Sequence, residues 1–449
     1  MKPITFTLLT CAALLLRVNP AAAQNSPPIR LTVADAVSRG FEASHRLAEI
    51  AARERGARAA VSGARATANP TVTASAGYTR TNHVSEFAIT PPVGPKLVVY
   101  PDIPDNLFTR VGFQWPIYTW GRTDALERAA EAEALAVAAD LDTARADLRF
   151  EIVRTYWAVA TAREAVRVLE DSLARGDAQV RDARERFNVG LIPPNDVLGL
   201  EAQRSRERAQ LIEARNLNES TLVDLRRLIG ADPDSPIDLA EGLDPGSPGP
   251  TASPGSPGSA AAVQEALQLR PERKALTFRI EGATAREQVA RAAAKPVLAA
   301  GGGADWANPN ARIFPRQDAW LNSWDLGVNV SWAVFDGGRT KAQVAEAKAA
   351  ADAVRERLNE FDAVVSADVR QRMLDVDSTL ARVEAASDAV RSATEARRVV
   401  GDRYAAGVAT STDVLVAQDA LLQAALERTR ALAGVKLAEA RLQRVTGRR

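Results

Sequence analysis

The 449-residue chain holds only two histidines, His45 and His83, in different kinds of sequence. That is too sparse for a metal site or a nucleophile and base pair. Gly301-Gly302-Gly303 and Asp336-Gly337-Gly338 lack the GxGxxG or GK[ST] setting that a phosphate cradle needs. The first suits a strand with small or bulged positions, the second a turn from strand into helix. No catalytic constellation emerges, and no cofactor or metal is expected. What recurs instead is a shaped turn, Gly190-x5-Asp196 and again Gly407-x5-Asp413, with Phe187 and Tyr404 three residues before the glycines. A glycine there can close a helix in the left-handed region, and the following acid can satisfy free amides at the next helix start.

These turns belong to a duplication. From Gly121 to Gly230 the second half overlies the first at a constant offset of 217 without a gap. WPIYTWGR falls on WAVFDGGR, placing Trp115 on Trp332, Gly121 on Gly338 and Arg122 on Arg339. Upstream, Pro70 matches Pro296 at an offset of 226, so a nine-residue difference lies between these anchors. A repeat this long is no small solenoid unit. The function must use both copies.

Following Gly121, apolar or small residues from Leu141 to Phe187 recur at alternating steps of three and four, and the same positions shifted by 217 run from Leu358 to Tyr404, with Arg372 and Arg397 among them. This is a coiled-coil period held without proline. A helix from about Arg122 to Asn188 is roughly 100 Å long. Shorter return helices follow, Asn195 to Ile229 and its copy, where Ala417, Ala424, Ala431, Ala438 and Val445 form a seam at sevens. Thr410-Ser411-Thr412-Asp413 reads as a capping pattern, and Pro193-Pro194 as a first helical turn preset by proline. Each repeat is thus a long antiparallel helical hairpin, 122–229 and 339–446.

Before each hairpin the pattern changes to alternation. Val72, Ala74, Ala76 and Tyr78 face away from Thr73, Ser75, Gly77 and Thr79, and Phe108 to Ile117 alternates likewise. Val297 to Trp306 is a weaker glycine-rich strand, and Leu326 to Val334 a clear one. The strand hairpins, 71–117 and 297–334, have arms of about ten residues, enough to cross a bilayer when tilted. Trp115, Trp120, Trp306, Trp320, Trp324 and Trp332 lie in or beside them, where an interfacial aromatic girdle would sit. Four strands cannot close a barrel and an open edge cannot face lipid, so spanning strands require oligomerisation.

Composition sets the address. Lys2, an apolar run from Ile4 to Leu16 and Ala21-Ala22-Ala23 read as an export signal over 1–23. The exported chain is expected to begin at Gln24 without lipid on Cys11, which Thr10 precedes, and its intact mass checks this. Beyond Gln24 no stretch approaches the roughly 18 consecutive apolar residues of a spanning helix. The 57 basic and 56 acidic residues nearly cancel, which speaks against a nucleic-acid partner. A first repeat over 24–240 and a second over 261–449 are joined by a Pro/Gly/Ser-rich linker, 241–260.

The tip motifs RFNVGLIPPNDVL and RYAAGVATSTDVL, the WAVFDGGR junction and the tandem hairpins together resemble the TolC-type outer-membrane efflux protein family over essentially the whole exported chain. The resemblance implies a mainly α fold with a membrane β-barrel: a homotrimer whose four strands per protomer close as twelve, continuous with a helical tunnel through the periplasm of a Gram-negative bacterium. It implies a passive conduit for efflux or type I secretion, with outer-membrane lipid, a periplasmic adaptor and an inner-membrane pump as partners. Phe187, Gly190, Asp196, Tyr404, Gly407 and Asp413 would lie at the periplasmic tip, where adaptors dock and the entrance opens. Gly121, Arg122, Gly337, Gly338 and Arg339 would form the strand-to-helix junctions. Relatives can carry a second acid three residues after each tip aspartate, where this chain has Gly199 and Val416. The residues alone leave one rival open, an exported coiled-coil spacer without a pore.

Overall fold

The computed structural model describes residues 29–243 and 258–448. The export signal and most of the linker lie outside the described residues. The first repeat runs β1 (Ile29–Leu31), α1 (Val33–Ala43), α2 (His45–Ala66), β2 (Thr71–Arg80), β3 (Phe87–Ile89), β4 (Leu97–Tyr100), β5 (Asp105–Tyr118), α3 (Arg122–Asn188), α4 (Pro194–Ile229) and β6 (Ile237–Leu239). The second runs α5 (Ser259–Leu269), α6 (Pro271–Ala292), β7 (Val297–Asn308), β8 (Leu321–Ser331), α7 (Arg339–Ala405) and α8 (Ser411–Thr446).

Several boundaries differ from the sequence reading, each for a local reason. Helix starts at Ser259, inside the segment read as linker. The helix opening each repeat is two helices, and in the first Ser44 starts the second by accepting from the Leu47 amide at 3.2 Å. Within the first strand hairpin the connection 82–104 carries a small hairpin of its own, Phe87–Ile89 pairing with Leu97–Tyr100, and the main ladder reaches out to Asp105. There Tyr78 and Arg80 bond the Asp105 carboxylate at 2.8 and 3.0 Å. The fourth strand stops at Ser331 rather than Val334, ahead of the turn through Asp336.

Helices α3 and α7 are 67 residues each, and α4 and α8 are 36 each. Along α3 every position of the three-four stripe except Phe187 is buried or half-buried, as is every copied position along α7. Burial of that seam, rather than intrinsic propensity, holds rods of this length straight. The largest core gathers where α3 is covered from more than one side: Leu148, Ile152 and Tyr156 pack with Leu31 of β1, Ile237 of β6 and Leu225 of α4. Strands β1 and β6 pair in parallel, closing the first repeat on itself.

A 22-residue helix prolongs each 36-residue one. At the end of α4, Gly230 (φ +65°) abuts the last residue of α1 so closely that a Cβ would collide with that of Ala43. At the end of α8, a Cβ on Gly447 (φ +75°) would lie 3.1 Å from the Leu269 carbonyl carbon and 3.2 Å from the Arg270 amide. Two such helices span about 87 Å at 1.5 Å per residue, close to the ~100 Å of their long partner. The α8–α6 joint is riveted by Arg444, which bonds Glu272 of α6 at 2.5 Å and Asp147 of α3 at 2.6 Å. Burial works against the Glu272 charge, but Arg444 and then Arg270 hold its carboxyl below the usual range.

Candidate functional site: the amphipathic sheet and the hairpin tips

The principal sheet has the order β2-β5-β7-β8, all antiparallel. The two repeats meet at the β5–β7 ladder, and β2 and β8 are left as edges. Register places Val72, Val111, Ala304 and Trp324 on one face, with Phe113, Ala300, Leu326, Val328 and Val330 continuing it. The other face carries Thr73, Ser75, Gln114, Ser323 and Asn329 together with glycines 301, 303 and 327. Trp324, Leu326 and Val330 of β8 are 74, 70 and 63% exposed on the apolar face. Apart from the Arg80–Asp105 pair at the far end of the β2–β5 ladder, the strand charges lie on the polar face and are paired there. Arg110 donates to Asp305 at 2.6 Å and to Asp325 at 2.8 Å, and Arg312 also reaches Asp325 at 2.8 Å. The glycine of β7 makes room for this cluster, since a Cβ on Gly303 would sit 3.0 Å from the Arg110 guanidinium.

The six strand tryptophans divide between the two ends of the sheet. Trp306, Trp320 and Trp324 lie toward the far end, the first two stacked at 5.2 Å. Trp115, Trp120 and Trp332 lie at the helical end. There the indoles of Trp115 and Trp332 donate to the carbonyls of Ala68 and Ala294, each at 3.1 Å. Both donors and both acceptors are repeat equivalents, so each copy ties its strand to the end of the preceding helix in the same way.

At the junctions, Gly121 and Gly338 adopt φ of +75° and +89° ahead of α3 and α7. Asp336 accepts from the Gly338 and Thr340 amides at 3.0 and 2.8 Å and from the Thr340 hydroxyl at 2.5 Å. The Thr340 hydroxyl and then its amide hold that carboxyl low. In the first copy Trp120 stands where the second has Gly337, with φ +53°. A left-handed non-glycine residue costs about 1–2 kcal/mol. Contacts with the Tyr118 ring at 5.0 Å and the Lys295 ammonium at 5.9 Å offset it. Arg122 and Arg339 begin α3 and α7, and no ion pair is formed by either among the described residues.

At the opposite end, Gly190 and Gly407 both have φ +76°. Their amides bond the Phe187 and Tyr404 carbonyls at 2.9 and 3.0 Å, and the next amides reach Arg186 and Arg403 at 2.9 Å each. The restarts differ. Thr410 and Asp413 form a full capping box, in which the Asp413 carboxylate accepts from the Thr410 amide and hydroxyl at 2.9 and 2.8 Å. Those two bonds, the amide's first, hold the Asp413 carboxyl low. Asp196 instead sits in the first turn behind Pro193, with no side-chain cap. Tyr404 packs under Arg186 at 5.2 Å, and its hydroxyl is buried without a hydrogen-bond partner among the described residues. Burial raises its pKa, with Asp196 and Asp182 adding to the rise and Arg186 opposing it. Thus the structure brings Tyr404 and Arg186 together, while Phe187 stays on the surface. Arg186 was not singled out in the sequence, although its repeat equivalent is Arg403 and it directly precedes Phe187. Around the turns Val189, Leu191 and Val408 are exposed.

The profile of the family described as outer membrane efflux protein matches residues 37–231 and 262–448, which include both tips, all four strands and both junctions. The chain belongs to the outer membrane efflux protein family. Among relatives, Protein CyaE of Bordetella pertussis is 28% identical over 341 residues, covering 73% of this chain and 69% of the relative. The alkaline protease secretion protein AprF of Pseudomonas aeruginosa is 27% identical, covering 76% of this chain and 70% of the relative. The crystal structure of the outer membrane protein VceC from Vibrio cholerae shares the fold, with a TM-score of 0.76 at 20% identity, covering 92% of this chain and 96% of that one. Like other members of the outer membrane efflux protein family, this is an outer-membrane protein built for transport. No helix among the described residues is long and apolar enough to cross a membrane.

Proposed function

We propose that this chain is the outer-membrane exit duct of a tripartite efflux or type I secretion system, three copies closing a twelve-stranded barrel above a periplasmic helical tunnel. The observation that carries the reading is the four-stranded sheet, apolar on one face, polar on the other and open at both edges. An open edge in lipid leaves unpaired amides and carbonyls, so β8 must pair with β2 of another copy. Three sheets then put the apolar faces toward lipid and the Arg110 cluster toward the lumen. A spacer without a pore has no use for such a sheet.

In this assembly the tips around Gly190 and Gly407 face the inner membrane. They dock the adaptor, and the Arg186–Tyr404 contact helps hold the entrance. Gly199 and Val416 leave the entrance without a second acid on either hairpin. The duct is passive and takes its drive from the inner-membrane pump. A family named for efflux and a relative named for protease secretion keep small molecules and polypeptides both open as cargo. Purified trimers added to a planar lipid bilayer are expected to insert and conduct in discrete steps. A monomer that stays soluble without detergent would overturn the reading.

The longer connection between β2 and β5, with its own β3–β4 hairpin, projects from the far end of the sheet and is placed outside the cell. An epitope inserted at Gly94, which has φ +125° and a single neighbour within 4 Å of an added Cβ, is expected to label on intact cells. Labelling only after the outer membrane is permeabilised would reverse the topology.

A further inference from the structure

Beside the α8–α6 joint, where the second repeat meets the first, α3 helps wall a cavity of about 220 Å³. Phe41 of α1, Phe150 and Val153 of α3, and Leu269 and Pro271 give it an apolar side. Its remaining wall carries Arg145, Arg448 and Arg444, the exposed Arg149 and Lys274, and one acid, Asp142. Arg145 and Arg448 are committed to Asp142 and Glu265. Arg149 and Lys274 have no ion-pair partner among the described residues, and Arg444, though riveted to Glu272 and Asp147 through other atoms, leaves its buried Nη1 without a hydrogen bond. A buried donor without a partner is costly. Two unpaired cations, one orphaned guanidinium nitrogen and an apolar side in one cavity have a shared complement: a small molecule with an anionic head and an apolar body.

We propose that this cavity is a binding site for an amphipathic anion, its carboxylate or phosphate held by Arg149, Lys274 and the free nitrogen of Arg444, and its chain laid against Phe41, Phe150 and Val153. Such a ligand bridges α3, α6 and α8 across the joint between the two repeats. Its binding is read independently of conduction, so the proposal and the duct reading fail separately.

The test is calorimetric titration of the full-length protein, reconstituted in lipid nanodiscs, with octanoate, octyl phosphate, octanol and octylammonium. Saturable binding of an anion at one site per chain is expected, at least tenfold tighter than octanol, with no saturation by octylammonium. Tighter binding of octanoate assigns a fatty-acid carboxylate, and tighter binding of octyl phosphate a lipid phosphate head. The double variant R149A/K274A, which breaks no ion pair seen here, is expected to weaken the anion at least tenfold and leave octanol unchanged. Ala146→Phe, which fills the cavity, is expected to abolish both. Undiminished anion binding in R149A/K274A, equal binding of octylammonium, or no saturable binding to the wild-type protein would each overturn the proposal.

Discussion

Gly407→Trp is expected to abolish export while trimers still form and still reach the outer membrane. The backbone at Gly407 has φ +76°, and an added Cβ meets nothing within 4 Å, so the substitution creates no clash inside the protomer. Its local cost is the left-handed conformation, about 1–2 kcal/mol. That cost is confined to a turn separated from the sheet by roughly 100 Å of helix. The indole would stand out from the tip beside the exposed Val408, on the surface proposed for the adaptor. Gly407→Ala bears the same backbone strain without the bulk and is expected to export nearly normally. Export assays with trimer and membrane-fraction blots read both variants. Lost trimers in the tryptophan variant would make the tip a folding element, and undiminished export would move docking elsewhere on the hairpins.

Tyr156→Ala is expected to be the most damaging single truncation in the core. The ring is fully buried against Leu31, Ile237 and Leu225. Its hydroxyl donates to the Leu31 carbonyl at 3.1 Å and accepts from the Glu241 amide at 3.0 Å. Burial pushes this phenol up to about 12, so it stays neutral and able to donate across the whole physiological range. One side chain thereby fixes α3 to both ends of the first repeat. Removing a buried aromatic ring costs about 3–5 kcal/mol, while Tyr156→Phe, which strands the Glu241 amide and leaves the Leu31 carbonyl only its bond from the Ala240 amide, is expected to cost about 1–3 kcal/mol. Thermal unfolding of the detergent-solubilised protein, followed by its helical signal, ranks the two. Equal losses would show that the hydroxyl, not the ring, carries the site.

The long helices were legible because their signals are local and doubled. A seam at threes and fours and glycines at the ends survive an offset of 217, and the Thr410–Asp413 cap marks the second restart. Strands with clear alternation, such as Leu326 to Val330, were legible for the same reason. Features made by contacts distant in sequence escaped. The three-residue β1–β6 pair joins Ile29 to Ile237 and has no periodicity to read. Tyr156 lies off the coiled-coil stripe and is buried only because α3 is covered from another side. Arg186 looked like one more solvated charge until the fold carried it over the Tyr404 ring. Trp120 was read for its ring, whereas its backbone occupies a left-handed position that the second copy gives to Gly337.

The β5–β7 ladder has a further meaning. It joins the outgoing arm of one repeat to the opening arm of the next, and in the proposed ring β8 meets β2 of a neighbour by the same rule. Six near-equivalent units therefore stand around the axis, and every seam is one of a single kind, alternately within a chain and between chains. The segment bridging the two copies makes each pair of units a single chain. It fixes the count, making three long chains out of six short ones, and it lets the two halves drift apart in sequence while always meeting in pairs.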